Sequence, residues 1–202
     1  MPKIVKGDQR TPSWHHARLG SVGGSTAPKI LPGKKMAMDL VFKLAAEVLL
    51  GQPLDEGFRS AAMQRGIDYE DEAIETYSFL TDRAVQRVSL VVGANPGTHY
   101  SPDGLVGDDG ILEVKVQYAN GWLKTKTLGL QKADKNWWLQ CQYGMWVCQR
   151  NWVDFGSYCP ELGDMYVERV LPCKDTQWRI YRRILPFTAQ VRQVISDNKK
   201  EI

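Results

Sequence analysis

The 202-residue chain has no apolar run long enough to cross a bilayer, and its first residues show no signal-peptide pattern. A membrane-spanning helix is thereby excluded, and the expected location is the cytoplasm. No two of its four cysteines (Cys141, Cys148, Cys159 and Cys173) form a C-x-x-C pair, and their spacing fits no zinc pattern. The thiols are expected to be free, with Cys141 and Cys148 packing as small apolar groups on one helix face. Nor is there a large charge excess: the net charge of +3 argues only weakly for a polyanionic partner. Positive charge is nevertheless clustered at Lys34–Lys35, from Lys124 to Lys135, and at Arg179, Arg182 and Arg183. Each cluster reads equally as a nucleic-acid patch or as a solvated face. Internal repeats, low-complexity tracts and long linkers are absent too, which points to one domain over residues 1–202.

An apolar fraction of 43% suffices for a substantial core. The first ten residues read as a loose polar arm. A short helix is expected within 11–20, capped by Ser13 and stopped by Gly20. A glycine loop follows, with Ser25 and Thr26 capping another short helix. Helical periodicity covers 35–50 and 56–80, with Gly66 a weak point in the second. Residues 84–92 read as a strand, and 99–116 as two strands joined by a turn at Asp108-Asp109-Gly110. An aromatic-rich helix over 134–149, strands near 152–158 and 165–171, and an amphipathic helix over 175–198 complete the chain. This order predicts an α/β (α+β) fold, a mixed central sheet flanked by helices.

The segment HYSPDGLVGDDGILEVKV, His99–Val116, places Asp103, Glu113 and Lys115 within thirteen residues of strand-like sequence. Alternation puts Glu113 and Lys115 on one face and Leu112, Val114 and Val116 on the other. The hairpin can bring Asp103 beside Glu113. Two carboxylates held together repel unless one is protonated or a cation lies between them, and oxygen donors suit Mg2+. Lys115 would then stand beside a scissile phosphate. A solvated Glu–Lys pair on a surface hairpin fits the same spacing. On the 56–80 helix, Met63, Ile67, Glu70, Ile74 and Tyr77 form one stripe, and Glu70 interrupts it with a charge that needs a partner. A shared cation or a basic side chain would serve. Gln140, on the helical side of Trp137 and Gly144, could orient water or a phosphate oxygen, or be an ordinary bonded amide.

Five segments in order, WHHARLGSVGGS, MQRGIDYEDEAIETY, YSPDGL, LEVK and QCQYGMWV, together resemble the lambda-exonuclease (YqaJ-type) phage recombination nucleases of the PD-(D/E)XK superfamily. The likeness spans roughly residues 11–160. It implies a restriction-endonuclease-like core and a phage or prophage origin within a bacterial cell. It implies Asp103, Glu113 and the helical glutamate Glu70 as metal ligands with the Val114 carbonyl, Lys115 as catalytic lysine and Gln140 as the helix glutamine. Arg18, Ser25 and Ser101 would hold a DNA 5′-phosphate, and Met63 stands near the position of a strand-splitting wedge. Read without the resemblance, Arg18 fits a surface salt bridge and Met63 a core methionine. Because Ala61 and Leu31-Pro32 stand where charge is expected, the DNA track would be rebuilt from Arg59, Lys34 and Lys35. The implied activity is Mg2+-dependent 5′→3′ digestion of one strand of linear duplex DNA to 5′-mononucleotides, leaving a 3′ overhang. One or two ions would serve each active site, and Mn2+ would substitute. A homotrimeric ring and a single-strand annealing recombinase are the implied partners. The alternatives are another PD-(D/E)XK endonuclease or resolvase, and a non-catalytic DNA-end-binding module.

Overall fold

A computed structural model describes residues 1–33, 37–54 and 60–199. Its centre is a five-stranded mixed sheet in the order β2-β5-β6-β7-β8, made of Val85–Gln86, Gly104–Val106, Gly110–Val116, Trp152–Cys159 and Asp164–Val170. Only β6 and β7 run parallel. A second, antiparallel sheet joins β1 (Lys3–Val5), β3 (Leu90–Val92) and β4 (His99–Tyr100) in the order β1-β3-β4. The helices are α1 (Pro12–Arg18), α2 (Ala27–Ile30), α3 (Met38–Leu50), α4 (Ala61–Thr81), α5 (Ala119–Leu128), α6 (Leu130–Ala133), α7 (Lys135–Cys148) and α8 (Lys174–Asn198).

Several elements depart from the sequence reading for local reasons. The arm is not loose at its start, since Lys3–Val5 pairs with Leu90–Val92 as an edge strand. The cap of α1 is Thr11, whose hydroxyl accepts from Trp14 N at 3.3 Å; Ser13 lies inside the helix. Residues 84–92 are split between the two sheets, and α5 and α6 occupy a stretch with no clear period. Val106 pairs with Gly110, so the hairpin loop is 107–109, and the left-handed residue is Gly107 at φ +55°. Gly110 is instead a strand residue pressed on Trp152, where a Cβ would lie 2.0 Å from the indole.

The sheet separates two cores. On one side Ile111, Val153 and Phe155 pack with α7, and Ile180, Ile184, Phe187 and Val191 of α8 join the same core. Their four-three-four spacing is the stripe expected of an amphipathic helix. On the other side Leu112, Val114 and Tyr158 meet Ala73, Ile74 and Tyr77 of α4. Cys141, Cys148 and Cys159 are free and buried, and Cys173 is free and partly buried.

The second core is pinned by a polar lock. Asp154, 3% exposed, accepts from Tyr77 Oη at 2.7 Å and from Arg169 Nε and Nη2, both at 2.8 Å. Burial first, then the Asp154 hydrogen bond, pushes the Tyr77 phenol up. Removing the acceptor strands a buried hydroxyl and an arginine. Asp154→Ala is therefore expected to cost about 3 kcal/mol, and Tyr77→Phe about 1 kcal/mol. Urea unfolding measures both; equal losses would contradict the lock.

Candidate active site

Strand alternation and the hairpin register build the first cluster. Gly104 pairs with Leu112, which sets the preceding Asp103 alongside Glu113, and Asp103 Oδ2 accepts from Val114 N at 2.6 Å. Glu113 is 2% exposed, yet its carboxylate is fully partnered. Oε2 accepts from Tyr100 Oη at 2.5 Å, while Oε1 accepts from Lys115 Nζ at 2.5 Å and from Gln140 Nε2 at 2.6 Å. The side chain of Gln140 thus ties α7 to β6. Tyr100 reaches Glu113 because two glycines let its ring pass. A Cβ at Gly24 or Gly144 would come within 2.6 Å of it.

The electrostatics are those of a crowded anionic centre. Burial, then Glu113 and more weakly Glu70, pushes Asp103 up to about 8, against the opposing pull of Lys115. Burial pulls the Lys115 ammonium down, but Glu113 and Asp103 outweigh it and hold the group above its usual value. Tyr100 is raised by burial and by Glu113. A partly buried aspartate beside a buried glutamate fits a hard divalent cation in its donor chemistry.

Glu70 is close enough to act electrostatically on Asp103, but its carboxylate is engaged by arginines. Its carboxylate is held by Arg10 through a short contact and by Arg87 at 3.4 Å. Among the described residues no group of three His, Cys, Asp or Glu side chains is arranged to hold a metal ion. The partners Glu70 finds in this structure are Arg10 and Arg87, and a cation would rest on Asp103, Glu113, backbone oxygen and water with Glu70 standing near Asp103.

A cavity of about 730 Å³ forms the second feature. Among the described residues Arg18, Ser25 and Met63 line it, with Arg10, Lys29, Lys43 and the acid Glu47. The guanidinium of Arg18, with Lys29 also on the wall, suits an anion. Arg18 lies 3.8 Å over the Trp14 ring, and its Nε donates to His99 Nε2 at 3.1 Å. Burial lowers its guanidinium from the usual value, with Glu47 acting against that. Ser25 is exposed, one residue before Thr26, whose side chain makes no cap hydrogen bond at the start of the four-residue α2, so no helix of useful length stands behind it. Ser101 does not line the cavity; its hydroxyl accepts from Trp14 Nε1 at 3.1 Å. Of the expected inward stripe of α4 only Ile74 and Tyr77 are buried, with Ala73 beside them. Met63 is 56% exposed and faces the cavity with Ile67, so it is not a core methionine. Lys34, Lys35 and Arg59 lie outside the described residues. Leu31 is buried in the core.

With this geometry in place, the comparisons are decisive for the family. The profile of the YqaJ-like viral recombinase domain matches residues 13–151. This chain belongs to that family. No curated protein matches it. Among solved structures, it is similar to the alkaline exonuclease LHK-Exo of Laribacter hongkongensis, with 28% identity and a TM-score of 0.80 over 93% of this chain and 95% of that one. LHK-Exo in complex with dAMP gives 29% identity and 0.78, over 95% and 97%. A phage-related exonuclease from Haemophilus somnus 129PT, at 16% identity and 0.69 over 89% and 96%, shares the fold. The PD-(D/E)XK fold expected from the sequence is therefore the one present, and the likeness supports a nuclease. Among the described residues of this YqaJ-like chain, no helix is long and apolar enough to cross a membrane.

Tyr100 and His99 escaped the sequence reading. A lone tyrosine or histidine in an apolar strand carries no signal, and only the adjacency of HY to SPDG could have suggested either. Arg10 and Lys29 were missed because neither belongs to a basic run.

His99 also sets an acid limit on stability. Burial, then Arg18, depresses its pKa to about 3. The unfolded chain takes up a proton below about 6.5 while the native chain does not, so stability is lost as pH falls through that window. By pH 5 the loss is about 2 kcal/mol. Denaturation midpoints from pH 7.5 to 5 are expected to fall more for the wild type than for His99→Gln; parallel curves would contradict this.

Proposed function

We propose that this chain is a Mg2+-dependent 5′→3′ exonuclease of linear duplex DNA, releasing 5′-mononucleotides and leaving a 3′ overhang. The carrying observation is the buried Glu113 carboxylate, gathered by Tyr100, Lys115 and Gln140 beside Asp103. Asp103, Glu113 and the Val114 carbonyl would hold the cation, with Mn2+ as a substitute. Such a cation polarises a phosphoryl oxygen and makes nearby water more acidic.

The protein's own groups do the rest. Lys115, fixed on Glu113 Oε1, orients the attacking water and offsets charge that grows on the phosphate. Tyr100 and Gln140 keep Glu113 from turning away. The guanidinium of Arg18 takes the terminal 5′-phosphate as a fork, with Ser25 at the cavity wall. Met63 wedges between the strands at the duplex end. Glu70 acts by holding Arg10 at the cavity. Residues 1–202 work as one domain, in a homotrimeric ring that keeps hold of the product strand, and a single-strand annealing recombinase receives the overhang.

Linear duplexes with 5′-phosphate, 5′-hydroxyl or blocked ends, together with closed circular plasmid, test this reading in the presence and absence of Mg2+. The expected result is mononucleotide release from 5′-phosphate ends with Mg2+ and an intact plasmid. Plasmid cleavage, or digestion from 3′ ends, would overturn it.

A further inference from the structure

The cation-lined cavity holds a closed hydrogen-bond circuit that the chemistry above does not use. Arg18 Nε donates to His99 Nε2 at 3.1 Å, which makes that ring nitrogen an acceptor. A neutral imidazole then carries its proton on Nδ1, 2.6 Å from Ser21 Oγ. The Ser21 hydroxyl in turn donates to the Arg18 carbonyl oxygen at 2.7 Å. Each donor meets one acceptor, and the circuit begins and ends on residue 18. His99 is 4% exposed, and a Cβ at Gly23 would lie 2.6 Å from its Nε2. The ring is thus enclosed, with the Gly23 backbone close against it.

The consequence falls on Arg18. Its Nε is committed to His99, and its flat face lies against Trp14. Its two terminal nitrogens donate to no other described residue, and the side chain lines the cavity. Glu47 lines the same cavity and attracts the guanidinium. Without an anchor at Nε, Arg18 would be drawn to Glu47, and a bidentate pair there would occupy the fork.

We propose that His99 is a positioning residue for terminal-phosphate selection: as a neutral acceptor it holds Arg18 by Nε and so presents both terminal nitrogens to a 5′-phosphate. The claim rests on the reading of the cavity given under Proposed function. It adds what makes Arg18 selective for a phosphate rather than locked in an internal ion pair. An imidazolium could not fill the role, because it has no lone pair to offer.

The test is the ratio of kcat/KM on linear duplexes with 5′-phosphate and 5′-hydroxyl ends. It is measured for the wild type, His99→Leu, His99→Gln and Ser21→Ala, with thermal unfolding of each. His99→Leu is expected to lower the ratio at least about tenfold, chiefly through KM for phosphorylated ends. Gln offers Oε1 where Nε2 stood, and is expected to restore most of the ratio. Ser21→Ala releases the Nδ1 end of the circuit without changing the core, and is expected to lower the ratio about threefold. It decides the matter if the Leu variant does not fold. A wild-type ratio in the folded Leu variant or in Ser21→Ala would overturn the proposal, as would a Gln variant no better than Leu. A wild-type ratio near one is a different failure, since it would sink the reading of the cavity itself.

Discussion

Lys115→Ala is expected to lower mononucleotide release from linear 5′-phosphorylated duplex by about 10³-fold while leaving duplex affinity within about threefold. The ammonium sits 2.5 Å from Glu113 Oε1, and Glu113 and Asp103 hold its proton firmly. A permanently charged donor at that point stabilises charge that exists only as the phosphate is attacked, so its removal acts on kcat. Under the proposed function binding would be carried by the cations of the cavity, of which Lys115 is not one. Lys115→Arg is not expected to rescue, because the planar fork cannot occupy the position of a compact ammonium. Single-turnover digestion with Mg2+ and equilibrium binding with Ca2+ measure the two quantities. Ca2+ is the suitable ion for binding because its looser coordination supports little turnover. Turnover within tenfold of wild type would remove Lys115 from the chemistry.

Glu113→Gln is expected to abolish turnover by a comparable factor and also to remove stabilisation by Mg2+. The wild-type carboxylate accepts from three donors at once. An amide offers one acceptor oxygen and turns its NH2 toward at least one of those donors. The cation would lose a charged ligand, while Asp103 would remain on Val114 N. If Mg2+ binds the native state alone, saturation to a hundred times its dissociation constant stabilises the wild type by about 2.7 kcal/mol. The variant should gain little at the same concentration. Thermal unfolding across a Mg2+ titration reads this directly, in the absence of DNA. An equal rise in both proteins would place the cation elsewhere.

The parts of this architecture legible in the sequence are those with a short-range code. The β5–β6 hairpin was readable from alternation and a turn, and its register alone sets Asp103 beside Glu113. Gln140 could be singled out only through the resemblance, because α7 is buried on nearly every face and its periodicity marks no single inner side. By contrast, the partners of Glu70 were hidden by distance along the chain, since Arg10 lies sixty residues away. The edge strand β1 was hidden in the same way, because three residues have no period and gain their structure from pairing with Leu90–Val92. Residues 84–92 looked continuous, but the chain changes sheets within them. Met63 and Ile67 continue the apolar stripe of α4 beyond the point where the core ends, so periodicity named the right face and the wrong environment. Tyr100 illustrates a deeper limit. Its role depends on Gly24 and Gly144, which lie far apart in the chain and leave room for one ring.

The pairing of Asp103 with Glu113 around a divalent cation is tested most directly by anomalous diffraction from crystals soaked in Mn2+. The account predicts a peak between the two carboxylates, on the side of Lys115. Absence of a peak there at saturating Mn2+, or a peak at Glu70 without one at Asp103 and Glu113, would contradict it.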